Sequence, residues 1–213
     1  NNNAGLCLDG EDDIAIMNNI VGSYGYSMLL QGPNQTVTRN NVCAGHWGMM
    51  LVYLSDSVIF RNNITDNSWH PVECWASSNN RFYHNNFINN TKELYVTYDS
   101  FDNVWDNGYP SGGNYWSDYT GVDLNHDGIG DTPYIIDENN RDRYPLMSPW
   151  TPIPGDINGD DAVGLSDLVL LAQAYGSEPH DPNWNPNADI DKNGVVGLSD
   201  LVILAQHYGQ HYP

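Results

Sequence analysis

Hydrophobic and polar positions along the first half of the chain repeat at an interval of about 22 residues. Asparagine marks the repeat at Asn18, Asn40, Asn62, Asn85 and Asn107. Apolar residues stand three positions before and two positions after these asparagines, at Ala15, Val37, Ile59, Phe82, Val104, Ile20, Val42, Ile64, Phe87 and Tyr109. Such a repeat predicts a solenoid whose coils form short strands, each paired with the next coil about 4.8 Å away.

The same spacing predicts which residues face the core of the solenoid in its longest strands. Two inward columns are expected, at Cys7, Leu29, Leu51, Cys74 and Val96 and at Gly5, Ser27, Met49, Val72 and Leu94. The residues between them are then expected to face outwards, at Leu6, Met28, Met50, Glu73, Tyr95, Leu8, Leu30, Val52, Trp75 and Thr97. Because most of these are apolar, we expect a cover over this face, either another part of the chain, a preceding N-terminal region or a partner molecule. The alternative is that the alternation is shifted by one residue in some coils.

The cysteines are predicted to be unpaired. Cys7 and Cys74 share a predicted inward column but lie three coils apart, roughly 14 Å at the usual strand spacing. A disulfide requires Cα atoms closer than about 7 Å. We therefore expect both to be buried free thiols, and Cys43 has no evident partner in the sequence.

Residues 1–110 with these repeats resemble the right-handed parallel β-helix family, in particular its Asn-rich members. The resemblance covers about residues 4–110 and implies a mostly β fold of about five coils, one for each repeat. It indicates the fold much more strongly than the function, since parallel β-helices carry many unrelated activities.

A different pattern begins after the repeats, in residues 111–147. The glycine- and aromatic-rich stretch from residue 112 to 119 is expected to cap the open end of the solenoid. It is followed by a DxNxDGxxD motif whose oxygen donors suit Ca²⁺, namely Asp123, Asn125, Asp127, Asp131 and the carbonyl of Ile129. Tyr134 occupies the place of the usual last acidic ligand, so Asp137 is a candidate to complete the shell, and a plain turn is the alternative. This segment resembles the C-terminal cap of archaeal β-helix surface proteins.

Residues 148–154 are rich in proline and predict an extended linker. Beyond it, in residues 155–213, one motif occurs twice, as GLSDLV beginning at Gly164 and again at Gly197. An acidic run precedes each copy. The oxygen donors fall at positions 1, 3, 5 and 12 of a loop, and an apolar helix is predicted to follow, over 168–175 and 201–208.

Two Ca²⁺ ions are predicted in these loops, with position 7 giving a backbone carbonyl. The expected ligands of the first loop are Asp156, Asn158, Asp160, Ala162 and Asp167. Those of the second loop are Asp189, Asp191, Asn193, Val195 and Asp200. A module of this size has a small core, so bound ions are expected to supply much of its folding free energy.

Residues 155–209 resemble the type I dockerin domain, which has two Ca²⁺ loops, each followed by a helix, and which docks onto cohesin modules. The resemblance implies partner-binding residues at loop positions 10 and 11, namely Leu165, Ser166, Leu198 and Ser199. Because the two pairs are identical, binding in either of two orientations is expected. Asp161 stands at position 6 of the first loop, where this family usually has glycine.

The amino-acid composition restricts the classes of molecule that this chain is expected to bind. With 7 Lys and Arg against 27 Asp and Glu, the formal net charge is −20, which disfavours nucleic acid and anionic membranes and favours divalent cations. No apolar run approaches the roughly 18 residues of a membrane span. Calcium loops with abundant Asn, Tyr and Trp favour an extracellular or cell-surface location.

Three functions remain open from the sequence. The favoured one is a calcium-binding structural or assembly protein that docks onto a cohesin-like module or onto another copy of the chain. A polysaccharide-binding or polysaccharide-degrading β-helix is the alternative, for which a column of Arg39, Arg61 and Arg81 would contact an anionic sugar. Copper chemistry at scattered His and Met residues is the least favoured, and no catalytic residue is predicted.

Overall fold

The computed structural model describes residues 4–160 and 162–211, so Asp161 and its predicted departure from the dockerin pattern lie outside the described residues. The chain forms two compact units, residues 1–150 and 151–213. The first unit is a parallel β-helix, and the second contains two helices. Both predictions of fold class are thereby confirmed.

Each coil of the β-helix supplies one strand to each of three parallel sheets. The first two coils contain β1 (Ala4–Asp9), β2 (Ile14–Ile16), β3 (Asn19–Val21), β4 (Tyr26–Pro33), β5 (Thr36–Thr38) and β6 (Asn41–Cys43). The next two contain β7 (Trp47–Ser55), β8 (Val58–Phe60), β9 (Asn63–Thr65), β10 (Val72–Trp75), β11 (Arg81–Tyr83) and β12 (Asn86–Ile88). The short strands β13 (Tyr95–Val96) and β14 (Tyr115–Trp116) extend the first and third sheets.

The asparagine column connects the coils through side-chain amides. The Nδ2 atom of Asn40 donates to Oδ1 of Asn62 at 2.9 Å, and Asn62 donates in the same way to Asn85 at 2.9 Å. Each Oδ1 also accepts the backbone N–H of the preceding asparagine, as Asn62 does from Asn40 at 2.9 Å. The residue directly before each asparagine has a left-handed backbone, with positive φ at Met17, Arg39, Arg61 and His84.

The fifth member of this column is Asn114, not the predicted Asn107. Asn85 donates to Asn114 Oδ1 at 2.9 Å, and β14 pairs with β12 in register. The segment between 107 and 113 is an insertion that leaves the coil, so equal spacing in the sequence identified the wrong asparagine. Tyr109 belongs to this insertion and is 60% exposed. Val104 pairs with Arg81 rather than with Phe82, because this coil is one residue longer than the predicted interval, and it is 37% exposed.

Two tryptophans fill the places predicted for those residues. Trp105 stacks on Phe82 with ring centroids 4.1 Å apart, and Trp116 stacks on Phe87 at 4.4 Å. Both tryptophans are buried. These rings close one end of the core.

The register of the first sheet corrects the predicted alternation. Met28 pairs with Met49 and Leu30 with Leu51, at an interval of 21 residues instead of the usual 22. An extra residue bulges from β7 near Tyr53, and beyond it the interval is again 22, since Pro33 pairs with Ser55. The inward columns are therefore Leu6, Met28, Met49 and Val72 and Leu8, Leu30, Leu51 and Cys74.

The predicted burial of Cys7 is consequently wrong. Cys7 pairs with Leu29 and is exposed, whereas Cys74 is buried and Cys43 is half-buried; all three are free thiols. Burial raises the pKa of the Cys74 thiol to about 12. The apolar residues of coils 1 and 2 that were expected to face outwards belong to the core, so that outer face is less apolar than predicted.

The predicted arginine column is also corrected, because Arg81 pairs with Val58 in the second sheet. The residue that follows Arg39 and Arg61 in their column is His84, which directly precedes Asn85. The column therefore carries less positive charge than predicted.

A short antiparallel pair, β15 (Tyr134–Ile135) and β16 (Arg141–Asp142), covers the tryptophan end of the core. The buried carboxylate of Asp142 accepts hydrogen bonds from the backbone N–H of Asn114 at 2.6 Å and from Trp116 Nε1 at 2.9 Å. Burial raises the pKa of Asp142 to about 7. Arg143 forms a salt bridge with the buried Asp106 at 2.7 Å. These contacts fix the cap to the last coil.

The second unit contains α1 (Leu165–Ala174) and α2 (Leu198–His207) around a small core. Both helices begin three residues before their predicted starts. The reason is that the loop acids Asp167 and Asp200 lie within the first turn and accept the N–H groups of Gly164 and Gly197 at 2.9 and 2.8 Å.

The two halves of this unit close each other reciprocally. Val163 in the first loop exchanges backbone hydrogen bonds with the segment after α2, at Gly209 and Gln210. Val196 in the second loop does the same with the segment after α1, at Gly176 and Ser177. Corresponding partners are related by the same interval as the two sequence motifs. The sequence repeat thus becomes a structural repeat in which neither half is complete alone.

Candidate calcium-binding and docking site

The second loop is organised by its first acidic residue. Asp189 accepts the backbone N–H of Asn193 at 3.1 Å and that of Gly194 at 3.0 Å, which curls the loop around the carboxylate. Gly194 has a φ of +89°, a conformation that favours glycine. Asn193 in turn accepts the N–H of Val195 at 2.8 Å, so the predicted ligands at positions 1, 5 and 7 belong to one turn.

The last acid of the loop joins it to the helix. Asp200 accepts the N–H groups of Ile190 at 2.7 Å and Asp191 at 3.1 Å, while its other oxygen accepts Gly197 N–H at 2.8 Å. Its side chain is fully buried. Loop closure and helix initiation therefore depend on the same carboxylate.

Three carboxylates converge in this loop. Ligand atoms of Asp189, Asp191 and Asp200 lie within 4.8 Å of one another. Within the described part of the chain, none of the three has a salt bridge. The pKa of Asp191 lies below its usual value, chiefly because of a hydrogen bond from Ser199. Like charges at this separation repel unless a cation lies between them, and oxygen-only donors of this kind fit Ca²⁺.

The first loop repeats much of this arrangement. Asp167 accepts the N–H groups of Ile157 at 2.8 Å and Asn158 at 3.1 Å. Asp156 accepts Gly159 N–H at 2.6 Å, and Asp160 accepts Ala162 N–H at 3.0 Å. All five predicted ligands thus lie in one closed loop, with an amide at position 3 where the second loop has Asp191.

The loop in the cap has the same internal pattern. Asp123 accepts the N–H groups of Asp127 at 3.2 Å and Gly128 at 2.9 Å, as Asp189 does in the second loop. Asp127 accepts Ile129 N–H at 2.9 Å, and this hydrogen bond is the largest cause that lowers the pKa of Asp127. A hydrogen bond at 2.9 Å also joins Asn125 to Asp127.

A nearer acid closes the cap loop in place of the missing position-12 residue. Asp131 accepts the N–H of Leu124 at 2.8 Å, just as Asp200 accepts that of Ile190. The predicted alternative, Asp137, is engaged in a separate turn, where it accepts the N–H groups of Asn139 and Asn140 at 2.7 and 2.8 Å. The loop is therefore shorter than the other two.

The four predicted partner-binding residues lie at the starts of the two helices. Leu165 and Leu198 are 67% and 66% exposed. Ser166 and Ser199 each accept a hydrogen bond from a loop amide, Asn158 at 3.1 Å and Asn193 at 3.4 Å. The exposed leucines are thus attached to the calcium loops through adjacent residues.

The sequence did not identify a cluster of aromatic side chains on the outer side of the first sheet, which includes Trp47, Trp69, Trp75 and Tyr95. The available signal was that Trp69 follows Trp47 at the interval of the repeat. The other members follow no repeat and become neighbours only in the fold.

The chain consists of a parallel β-helix and a module with two acidic loops, and comparison with known families agrees with both parts. Residues 1–121, more than half of the chain, match the family described as periplasmic copper-binding protein (NosD), so the chain belongs to the NosD family. Residues 154–207 match the dockerin type I domain. The predicted resemblances to a β-helix and a dockerin are confirmed. No curated protein and no solved structure matches the chain.

The two families indicate a protein of the cell envelope or exterior that carries a docking module. Dockerin domains generally bind Ca²⁺ and cohesin partners. Among the described residues no helix is long and apolar enough to span a membrane.

Proposed function

We propose that this protein is an extracellular, calcium-dependent assembly subunit whose dockerin module attaches the β-helix to a cohesin-like module on another protein. The observation that carries the proposal is the pair of matching exposed helix starts, Leu165 and Leu198, each tied to a calcium loop through the adjacent serine. The competing partner is a second copy of this chain.

Calcium has a structural role in this proposal. One ion in each dockerin loop would be held by the ligands predicted above and would offset the repulsion among the carboxylates. Because Asp167 and Asp200 also fix the first turn of each helix, the docking leucines depend on loop closure. We therefore expect calcium to keep the docking surface in shape rather than to switch it.

A third ion is proposed for the cap loop, held by Asp123, Asn125, Asp127, Asp131 and the carbonyl of Ile129. The support is the hydrogen-bond pattern that this loop shares with the second dockerin loop, including a glycine with positive φ at position 6 in both. Here calcium would stabilise the cap over the end of the β-helix.

The two equivalent helix starts support binding in either of two orientations. Each half presents a leucine and a serine in the same local setting, so a cohesin-like surface that fits one half would fit the other. Loss of one leucine would then leave a competent second orientation, whereas loss of both would weaken docking in either orientation.

Docking can be tested with the full chain and a panel of type I cohesin modules by calorimetry in Ca²⁺ and in chelator. Leu165→Asp and Leu198→Asp separately should change affinity only a few-fold. The double variant should weaken it roughly thirtyfold or more, because a charge replaces an apolar anchor in every orientation.

The control is Ile14→Asp in β2, since Ile14 is also 66% exposed but lies in the β-helix. Binding in the double variant or in chelator that is as tight as that of the unsubstituted chain in Ca²⁺ would contradict the proposal. If no cohesin binds while the chain forms dimers in Ca²⁺ that the double variant lacks, the partner is a second copy.

Copper has no part in the proposal, although it appears in the name of the NosD family. His46, His70 and His84 contact three different partners, Ser68, the carbonyl of Glu93 and the carbonyl of Ser111, and Met28 lies in the core. Nothing in these contacts brings the histidines to a shared ligand position.

A further inference from the structure

A row of aromatic and imidazole rings runs along the outer side of the first sheet and its adjoining turn. We call it the aromatic row, and its members are Tyr26, Trp47, His46, Trp69, His70, Tyr95 and Trp75. Neighbouring ring centroids lie 4.1 to 6.0 Å apart. The row crosses several coils, so no single strand creates it.

A buried carboxylate fixes two of the indole rings. Trp47 Nε1 donates to Glu73 Oε1 at 2.9 Å, and Trp75 Nε1 donates to Glu73 Oε2 at 3.2 Å. Glu73 faces outwards from the sheet yet is only 7% exposed, because the rings cover it. The tryptophan edges are thus satisfied within the protein.

Three rings of the row are accessible to solvent. Trp69 is 39% exposed, and Trp75 and Tyr95 are each 44% exposed. These rings are held in place by their neighbours, so a ligand that stacks on them would not have to order them first.

An open groove of about 630 Å³ adjoins the row, and His46 belongs to both. Its lining includes Ser23, Tyr24, His46, Asp66 and Ser68. The hydroxyl groups, the imidazole and the Asp66 carboxylate offer donors and acceptors at short range, with the ring of Tyr24 fully exposed beside them. The volume lies within the usual range for small-ligand sites.

We propose that the groove and the aromatic row bind a neutral glycan chain. Flat ring faces suit the C–H faces of sugar rings, and the groove's polar groups suit sugar hydroxyls. The charges disfavour anionic glycans, since the site contains the two carboxylates of Asp66 and Glu73 against the ammonium group of Lys92, which lies 5.2 Å from the ring centroid of Trp69. An apolar protein partner would remove the Asp66 carboxylate from water without pairing it.

Affinity electrophoresis of the full chain in Ca²⁺ tests this directly. The gels contain neutral polysaccharides (xyloglucan, mannan, xylan, mixed-linkage glucan) or anionic ones (polygalacturonate, alginate). At least one neutral glycan should retard the protein and the anionic ones should not. Trp69→Ala and Tyr95→Ala should each weaken binding roughly three- to tenfold, because each removes one stacking surface.

Tyr53→Ala is the matched control, since Tyr53 is 73% exposed and makes none of the ring contacts of the row. Circular dichroism and the melting temperature show whether each variant is folded. If Trp69→Ala is not folded, Tyr95→Ala alone tests the proposal. The proposal is wrong if no neutral glycan retards the chain, if anionic glycans do so instead, or if Tyr53→Ala weakens binding equally. It is also wrong if the row variants dissociate a dimer of the ligand-free chain, since the row would then be an interface between copies.

Glycan binding is independent of the docking function. The Leu165→Asp, Leu198→Asp double variant should lose cohesin binding and retain retardation by the glycan. The row variants should show the opposite result.

Discussion

At the scale of single residues, the asparagine column shows how one side chain can stabilise three coils. The Nδ2 atom of Asn62 donates to Asn85 Oδ1 at 2.9 Å and to the carbonyl of Val37 at 2.9 Å. Its Oδ1 accepts both N–H groups of Asn40, from the backbone and from the amide. Because the side chain is fully buried, water cannot replace any of these partners.

Replacement of Asn62 by leucine should therefore destabilise the β-helix by about 2–4 kcal/mol. The leucine is close in size but leaves the buried backbone N–H of Asn40 unpaired, and Asn85 Oδ1 keeps only its hydrogen bond from the backbone N–H of residue 62. Each unpaired buried group costs roughly 1–3 kcal/mol. Chemical denaturation followed by circular dichroism measures the change.

The control for this substitution is Asn63→Ala, one residue along the chain. Asn63 is exposed and accepts a hydrogen bond from Asn86 at 2.7 Å in an outer column, so water can substitute. A loss below about 1 kcal/mol is expected there. Equal losses for the two variants would show that burial of the amide column contributes little.

At the scale of elements, the three acidic loops differ in length but share one principle of closure. A first acid accepts N–H groups from the turn, and a last acid accepts the N–H of the loop's second residue. Only in the dockerin loops does the last acid also cap a helix. A metal-free dockerin loop should therefore lose its helix as well, whereas the cap loop has no helix to lose.

Calcium titration by calorimetry should show one ion per loop. Asp200→Asn and Asp131→Asn should each reduce the number of bound ions by one, because each removes a charged ligand and the contact that closes its loop. Asp200→Asn should also lower the helical signal in circular dichroism, while Asp131→Asn should leave it unchanged.

Asp118→Asn is the control for the titration, since Asp118 is exposed, lies outside all three loops and accepts a hydrogen bond from Tyr134 at 3.1 Å. An unchanged ion count in Asp131→Asn would remove the cap site from the proposal and leave the dockerin sites standing.

At the scale of the whole molecule, the most prominent feature is the formal net charge of −20. Carboxylates are spread over both units and outnumber the basic residues, so the folded chain repels itself. Bound calcium would cancel two charges per ion at the places where carboxylates are closest together.

Sodium chloride should consequently raise the melting temperature of the chain in chelator, because added salt screens this repulsion. The increase from low salt to about 0.5 M should be larger in chelator than in Ca²⁺, where ions already offset part of the charge. Differential scanning calorimetry makes the comparison, with sucrose as a control for non-ionic stabilisation. A decrease with salt in chelator would contradict this account.

Sequence alone determined the type of each unit. A regular repeat of this length restricts the chain to a solenoid, and donors at fixed loop positions specify a metal loop, because both depend on local spacing. The predicted helix starts were three residues late. The sequence does not show that the carboxylates of Asp167 and Asp200 turn back to accept the N–H groups of Gly164 and Gly197 at the helix starts.

The tertiary structure determined the features that residue spacing in the sequence does not specify. A one-residue bulge near Tyr53 shifts the first sheet, which moves Cys7 to the surface and brings Met28 and Leu30 into the core. An insertion before β14 makes Asn114 rather than Asn107 the next member of the column, because hydrogen bonding and stacking, rather than equal spacing, select it. The attachment of Trp47 and Trp75 to Glu73 likewise arises only when separate coils are stacked, and the aromatic row exists for the same reason.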